Sequence, residues 1–167
     1  MALSIVHQDI TEIKADAIVN STNEQLAVGG LGVDASIHYA AGPELEKALE
    51  KIGTCPTGSA VITESFNIKT CKYIIHTVGP IYEGSSQTEK GKARRSLERC
   101  YRSALELAVE HDCQSVAFPL ISAGAYGFPK VTAYRIATHT IRDWMSRHDY
   151  TDMDVSLVLL DLDLILY

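Results

Sequence analysis

The sequence has little of what marks zinc proteins, disulfide-stapled domains or nucleic-acid-binding proteins. Its four cysteines form no CxxC pair, and its six histidines include no HExxH motif, so we expect free thiols and no metal. Lysine and arginine total 15 against 21 aspartates and glutamates, a net charge of −6, which disfavours a nucleic-acid partner. An acidic chain can still bind a phosphate-bearing ligand, because backbone amides attract anions without any net positive charge.

Targeting and membrane-spanning segments are also missing from the sequence. Residues 1–10 have neither a basic region nor a long apolar stretch, which predicts no signal peptide. The most apolar stretch, Val155–Tyr167, is interrupted by Asp161 and Asp163 and is too short to span a bilayer. No internal repeat is present, and 167 residues predict one domain, residues 1–167. Together with the free thiols, these features predict a cytoplasmic protein.

Short apolar runs alternate with helical patterns along the chain. The apolar runs predict strands at Ala2–His7, Ala17–Asn20, Gly58–Thr63, Tyr73–Val78, Ser115–Ile121 and Val155–Leu160. Helical patterns cover Val33–Ala41, Pro43–Ile52, Lys92–His111 and Pro129–His148, and Glu83–Gly91 is predicted to be a surface loop. Several strands are apolar at consecutive positions, which indicates burial on both faces. We therefore expect an α/β/α fold of three layers, with its ligand at the carboxyl ends of the strands.

The connection Ser122–Phe128, here called the second glycine loop, joins a predicted buried strand to a helix. Its residues 123–125 are small, so successive backbone N–H groups can approach an anion, and the helix N-terminus adds partial positive charge. Tyr126 offers a hydroxyl or a flat apolar wall. The alternative interpretation is a tight turn that needs a positive φ at Gly124 and Gly127.

The first glycine loop, Asn23–Asp34, precedes the first predicted helix. Its Gly30-x-Gly32-x-x-Ala35 spacing matches a dinucleotide-binding fingerprint, but that fingerprint directly follows a strand, whereas mixed residues intervene here. A Rossmann site is therefore disfavoured. Asp34 at the helix start has two interpretations: a carboxylate favoured by the helix dipole, or one that orients a water beside a bound diphosphate.

Polar side chains also lie near the predicted strand ends. Asn20 and Asn23 each offer a donor and an acceptor, which suits ribose hydroxyls, although asparagine is also common in turns. Asp9 follows the first strand, where its carboxylate can accept a hydrogen bond from an exocyclic amine or cap the next turn. These three residues are candidate ligand contacts.

With these motifs in order, the chain resembles the macrodomain family of ADP-ribose-binding modules. The resemblance rests on DIT at 9–11, DAIVNSTN at 16–23, GGLGVD at 29–34, IHYAAGP at 37–43, CPTGSA at 55–60, IHTVGP at 75–80 and SAGAYGFP at 122–129. It implies the three-layer macrodomain fold with a central mixed, mostly parallel sheet. It also implies ADP-ribose binding without a metal or other cofactor. We expect a monomer.

The resemblance assigns roles to individual residues. Asp9 and the Ile10 amide would bind adenine, and Asn23 the distal ribose. The diphosphate would lie between Gly30, Gly32 and Val33 on one side and Ser122, Ala123, Gly124, Ala125 and Tyr126 on the other. Asp34 matches the aspartate of the MacroD-type hydrolases, so Asp34 and Asn23 are the predicted catalytic residues. That subgroup removes mono-ADP-ribose from acidic protein side chains and deacetylates O-acetyl-ADP-ribose. The resemblance therefore implies ADP-ribose, ADP-ribosylated proteins or O-acetyl-ADP-ribose as partners.

The sequence departs from the family pattern at positions that bear on function. Leu31 interrupts the glycine run, and the stretch from Asn23 to Asp34 is one residue longer than the usual hydrolase spacing. Because a displacement of about 1 Å can cost roughly 10²-fold in rate, a non-catalytic ADP-ribose reader is the alternative function. Leu160 stands where many members place an aromatic residue on adenine, which predicts weaker affinity. His38 and His76 are expected to be structural.

Overall fold

The computed structural model describes residues 2–29, 32–84, 86–148 and 152–160. Six strands and four helices lie within these ranges. The strands are β1 (Ala2–His7), β2 (Ala17–Thr22), β3 (Ala60–Glu64), β4 (Tyr73–Val78), β5 (Ser115–Phe118) and β6 (Asp154–Leu159). The helices are α1 (Val33–Ala41), α2 (Pro43–Ile52), α3 (Gln87–Glu110) and α4 (Lys130–Arg147), and the order along the chain is β1-β2-α1-α2-β3-β4-α3-β5-α4-β6. None of these helices, in the part of the chain so described, is long and apolar enough to cross a membrane.

The strands form one mixed sheet in the order β1-β6-β5-β2-β4-β3. All neighbouring pairs are parallel except β3 and β4, which are antiparallel. Helices α1 and α2 cover one face, and α3 and α4 cover the other. The predicted α/β/α fold with a mostly parallel sheet is therefore confirmed. That residues 1–167 form a single domain stays a prediction.

The central strands are apolar at consecutive positions because both of their faces are buried. In β2, Ile18 packs on the side of α1 and α2, whereas Val19 packs on the side of α3 and α4. Ile74 and Ile75 of β4 divide between the two sides in the same way. Burying a side chain of this size stabilises the fold by about 1.5–3 kcal/mol. This double burial is why an apolar run, not an alternating pattern, marks the strands.

The start of α3 corrects one prediction. The helix begins at Gln87, so the predicted surface loop Glu83–Gly91 is wrong over its second half. Ser86 occupies the N-cap, and its side-chain oxygen accepts a hydrogen bond from the Glu89 backbone N–H at 3.1 Å. A cap of this kind satisfies one of the donors that a helix leaves unpaired at its first turn. The Ser86 cap therefore favours a helix start in a segment whose polar composition had predicted a loop.

All four cysteines are free, as the sequence predicted, and the structure shows that all four are buried. Burial raises the pKa of Cys71 and that of Cys100 to about 11. These thiols are consequently protonated and poorly nucleophilic near neutral pH.

Tyr101 of α3 fixes the chain just after β5. It is fully buried, and its hydroxyl oxygen accepts a hydrogen bond from the Ile121 backbone N–H at 3.1 Å and donates to the Pro119 carbonyl oxygen at 3.5 Å. Tyr101→Phe leaves both backbone groups unpaired in the core. We expect the free energy of unfolding, measured by urea denaturation, to fall by about 1–3 kcal/mol.

Tyr39→Phe is the matched control for this loss. Tyr39 is 92% exposed, so removal of its hydroxyl should leave the unfolding free energy unchanged. Equal stability of Tyr101→Phe and Tyr39→Phe would show that the buried hydroxyl does not support the segment after β5.

Candidate functional site

A cleft of about 540 Å³ lies at the carboxyl ends of β2 and β5, and we call it the central cleft. The first glycine loop and the start of α1 contribute Asn23, Gly29, Gly32, Val33 and Asp34 to its lining. The second glycine loop contributes Ser122, Gly124, Ala125 and Tyr126. Both loops therefore meet across one cleft, where the fold rule for open sheets places a ligand. Gly30 and Leu31 lie outside the described residues.

A smaller cavity of about 210 Å³, the outer pocket, adjoins the central cleft. Val33, Leu120 and Gly124 line both spaces. Ala123 and Leu160 line the outer pocket, and Leu160 is 68% exposed there. The predicted adenine contact of Leu160 is thus on an apolar surface that continues from the central cleft.

Asp9 and Ile10 have other contacts in the structure. The Asp9 carboxylate accepts hydrogen bonds from the backbone N–H and the hydroxyl of Thr11, at 2.9 and 2.7 Å. This is the turn-capping role that the sequence left open. Ile10 is buried, and its side chain packs on the side of α1 and α2. Their contacts with adenine stay predictions.

A third cavity, of about 740 Å³, lies beyond the central cleft on the side away from the outer pocket, and we call it the distal cavity. It shares Asn23 and Tyr126 with the central cleft. The three spaces follow the strand order β6-β5-β2-β4: the outer pocket lies at the ends of β6 and β5, the central cleft at the ends of β5 and β2, and the distal cavity at the end of β4. An elongated ligand can therefore extend along the edge of the sheet.

Asp34 lies in the first turn of α1, and both oxygens of its carboxylate accept hydrogen bonds. Oδ2 accepts a hydrogen bond from the Gly29 backbone N–H at 2.7 Å, and Oδ1 accepts one from Asn20 Nδ2 at 2.7 Å. His38 Nε2 lies 3.3 Å from Oδ1. Burial alone would raise the pKa of Asp34, but the contacts with His38, Asn20 and Gly29 outweigh burial and lower it. Asp34 is therefore a charged, fixed carboxylate at neutral pH.

Asn20 lies beneath the cleft and contacts Asp34. Its side chain is fully buried, and Nδ2 donates to Asp34 Oδ1 and lies 3.2 Å from His76 Nδ1. The structure shows Asn20 positioning the carboxylate. A direct contact between Asn20 and a ligand stays a prediction.

His76 continues this buried chain of hydrogen bonds and has a defined tautomer. Thr63 Oγ1 donates to the Glu64 carbonyl oxygen at 3.0 Å, so it accepts from His76 Nε2–H at 3.0 Å. His76 Nδ1 is then unprotonated and accepts from Asn20. Burial, with repulsion from His38, lowers the pKa of His76 to about 3. The neutral imidazole orients the Asn20 amide toward Asp34.

The neutral His76 makes stability depend on pH. Between its ordinary pKa of about 6.5 and its folded value of about 3, the unfolded chain binds a proton that the folded chain does not. Stability attributable to His76 is therefore lost as pH falls through this window, at about 1.4 kcal/mol per pH unit. His76→Gln should flatten the plot of unfolding free energy against pH between 4 and 6 by about that slope.

His139→Gln on the exposed side of α4 is the control for this pH dependence, and it should leave the slope as in the parent. A slope unchanged in His76→Gln would contradict a buried neutral imidazole. Urea denaturation at a series of pH values supplies the measurement.

Asn23 is the first residue of the first glycine loop and lines both the central cleft and the distal cavity. Its Nδ2 donates to the Ala27 carbonyl oxygen at 2.8 Å, and its Oδ1 accepts from the Ala27 N–H at 3.1 Å. A carboxamide has two N–H groups and two oxygen lone pairs, so these bonds use half of its capacity. The predicted ribose contact by Asn23 is compatible with this geometry and stays a prediction.

The second glycine loop adopts its shape through Ser122 and Gly127, whose φ values are 64° and 80°. Ser122 Oγ donates to the Pro80 carbonyl oxygen at 2.7 Å, and its own carbonyl accepts from Phe128 N–H at 2.9 Å. Gly124 has no positive φ, and a Cβ built there would meet nothing within 4 Å. The tight-turn interpretation is thus right at Gly127 and wrong at Gly124, where the small residue leaves the backbone open to the cleft.

Several residues of the site were missed by the sequence analysis. Gly29 donates its backbone N–H to Asp34, and Pro119 and Leu120 line the central cleft. Strand β5 ends at Phe118, not at the predicted Ile121, because Pro119 has no N–H for the sheet. The proline is the sequence signal that would have placed these residues in the cleft.

Comparison with known proteins identifies the class to which this fold and cleft belong. The sequence profile of the Macro domain matches residues 19–137. The O-acetyl-ADP-ribose deacetylase of Citrobacter koseri is 44% identical over 150 residues, covering 87% of this chain and 81% of that protein. The human ADP-ribose glycohydrolase MACROD2 is 43% identical over 166 residues, which are 99% of this chain but 38% of that protein.

Solved structures agree with the sequence comparison. The Oceanobacillus iheyensis macrodomain with ADP superposes with a TM-score of 0.87 at 40% identity, covering 96% of this chain and 84% of that chain. The chain belongs to the macro domain family.

Proposed function

We propose that the protein binds ADP-ribose in the central cleft and hydrolyses the ester that joins ADP-ribose to an acidic protein side chain or to acetate. The observation that carries this proposal is the Asp34 carboxylate, fixed by Asn20 and Gly29 in the wall of a cleft that both glycine loops line. Relatives at 43–44% identity named as an ADP-ribose glycohydrolase and an O-acetyl-ADP-ribose deacetylase support the reaction class.

The cleft offers a site for a diphosphate despite the net charge of −6. Gly32 is the N-cap of α1, and α4 begins at Lys130 just after the second glycine loop, so two helix N-termini face this end of the sheet. The backbone N–H groups and partial positive charge of a helix N-terminus favour phosphate oxygens. The adenine then lies toward the outer pocket and Leu160, and the distal ribose lies at Asn23.

Hydrolysis adds one water across the ester, giving a carboxylic acid and a free ribose hydroxyl. Since its pKa is lowered, Asp34 is a weak base at neutral pH, and its role is to accept a hydrogen bond from the attacking water and hold it. A phosphate oxygen of the substrate holds the same water from the other side. Positioning and electrostatic fit therefore supply most of the rate. Asn23 orients the distal ribose.

The second candidate function is a reader that binds ADP-ribose without chemistry. It is favoured by Leu31 and by the longer first loop of the sequence. Binding alone does not separate the two functions, because both require it.

A turnover assay separates them. The protein is mixed in turn with O-acetyl-ADP-ribose and with proteins mono-ADP-ribosylated on glutamate, and released ADP-ribose is measured by chromatography. Release from both esters is expected. Tight binding of ADP-ribose with no release above the uncatalysed rate would establish the reader and refute the hydrolase.

The remaining assignments concern partners. We propose a monomer that acts on ADP-ribosylated proteins or O-acetyl-ADP-ribose in the cytoplasm, without nucleic acid. The acidic composition disfavours nucleic acid, and the four free thiols are typical of the cytoplasm.

A further inference from the structure

The distal cavity, of about 740 Å³, is larger than the outer pocket and, like it, continues the proposed ligand site. It opens from the central cleft at Asn23 and Tyr126, beyond the position proposed for the distal ribose. The scissile ester is attached to that ribose. The group to which ADP-ribose is esterified must therefore extend from the central cleft in this direction.

One wall of the distal cavity is bound directly to the second glycine loop. Tyr82 N–H donates to the Tyr126 carbonyl oxygen at 2.8 Å, and Ser122 Oγ donates to the Pro80 carbonyl oxygen at 2.7 Å. Gly79 packs so closely on Ser122 that a Cβ there would overlap its hydroxyl. Hydrogen bonds and close packing therefore join this wall to the central cleft.

The opposite wall belongs to the first glycine loop and is equally well connected. The Glu24 carbonyl oxygen accepts from Cys55 N–H at 2.9 Å, and its carboxylate accepts from Thr57 N–H at 3.2 Å. Both walls are thus positioned by the loops that line the central cleft. The cavity is a built extension of the cleft, of a size that accommodates a side chain with its neighbours.

The rim of the distal cavity is acidic. Among its described lining residues, Glu24, Glu83 and Glu89 carry negative charge and Lys92 carries positive charge. All four side chains are exposed, and Ile81 adds an apolar surface that is 54% exposed. Complementary charge at such a rim selects partners more than it adds affinity.

We propose that the distal cavity receives the polypeptide that carries the ADP-ribosyl group and favours basic residues beside the modified side chain. This inference rests on the proposed function, because the placement of the distal ribose at Asn23 decides which end of ADP-ribose faces the cavity. It adds a specificity for the modified protein that the nucleotide itself does not provide.

The test uses two peptides that carry one ADP-ribosyl group through the same non-hydrolysable linkage. One peptide has lysines on both sides of the modified residue, and the other has glutamates. Isothermal calorimetry at low salt should show the lysine peptide binding about fivefold more tightly than the glutamate peptide. This preference should shrink as salt is raised.

The double substitution Glu83→Gln/Glu89→Gln should reduce the preference to near one, since it removes one rim carboxylate just before α3 and one in its first turn and leaves Glu24 balanced by Lys92. Gln also keeps the residue type that a capping box accepts at position 89. Glu106→Gln/Glu110→Gln removes two exposed charges at the other end of α3 and should keep the fivefold preference.

The outcomes separate the inference from the proposed function. Equal affinity for both peptides, with release of ADP-ribose from the ester substrates, would overturn the inference and leave the hydrolase standing. A fivefold preference without release from any ester would refute the hydrolase. It would still support the peptide preference of the distal cavity, in a protein that binds ADP-ribose without hydrolysing its esters. A preference that persists in Glu83→Gln/Glu89→Gln would overturn the assignment to this rim.

Discussion

A glutamate in place of Gly32 is expected to abolish ADP-ribose binding while the chain keeps its fold. A Cβ built on Gly32 meets nothing within 4 Å, and the φ of −94° is one that any residue adopts. The new carboxylate enters the central cleft at the N-cap of α1, where the diphosphate is proposed to lie. Like charges about 4 Å apart near a protein surface repel by about 4 kcal/mol, so calorimetry should show at least about a 100-fold weaker Kd.

Two further variants separate charge from size and position. Gly32→Gln adds the same bulk without the charge, and it should lose less affinity than Gly32→Glu. Val28→Glu places the same charge in the first glycine loop on a side chain that is 47% exposed, and it should bind ADP-ribose as the parent does. A Kd for Gly32→Glu within threefold of the parent would refute the placement of the diphosphate.

The elements that the sequence predicted to the residue are those bounded by strong local signals. Helices α1 and α2 begin and end as predicted, because Gly32, Gly42, Pro43 and Gly53 mark their ends. Gly42 and Gly53 have positive φ, at 88° and 94°, which glycine adopts at least cost. Strand β4 was also predicted to the residue, since it is mostly apolar and is buried on both faces.

Boundaries failed where a weaker local signal competed with composition. The Ser86 cap extended α3 into a polar segment, and Pro119 ended β5 within an apolar run. In both places one hydrogen-bonding group decides the boundary: the acceptor that Ser86 supplies to Glu89 N–H, and the donor that Pro119 lacks. The spacing of apolar residues reveals neither the cap nor the missing donor.

The sequence predicted that the two glycine loops meet at one site, but it did not predict which residues hold the Asp34 carboxylate. Asn20 and His76 are 56 residues apart and meet only because β2 and β4 pair in parallel with these two residues opposite each other. Register between distant strands is set by the packing of the whole sheet. A single sequence therefore marks Asp34 as a candidate without showing what holds it.

Asp34→Ala is expected to slow ester hydrolysis by at least about 100-fold, the usual scale for losing a group that handles the reacting water. The carboxylate is 7% exposed and is held by Gly29 and Asn20, so no other side chain can take its place without rearrangement. Release of ADP-ribose from O-acetyl-ADP-ribose and from glutamate-linked substrate measures the loss. Affinity for ADP-ribose, measured by calorimetry, should change far less than the rate, because backbone amides are proposed to bind the diphosphate.

Asp34→Asn is expected to be nearly as slow, although it keeps the size of the side chain. Both carboxylate oxygens accept hydrogen bonds, so an NH₂ group in either place faces the donor of Gly29 or that of Asn20. Asp143→Ala makes the same substitution as Asp34→Ala on the outer side of α4, where Asp143 pairs with Arg147, and should leave the rate unchanged. If Asp34→Ala hydrolysed both esters within threefold of the parent rate, the catalytic role of this carboxylate would be wrong and the attacking water would have to be held elsewhere.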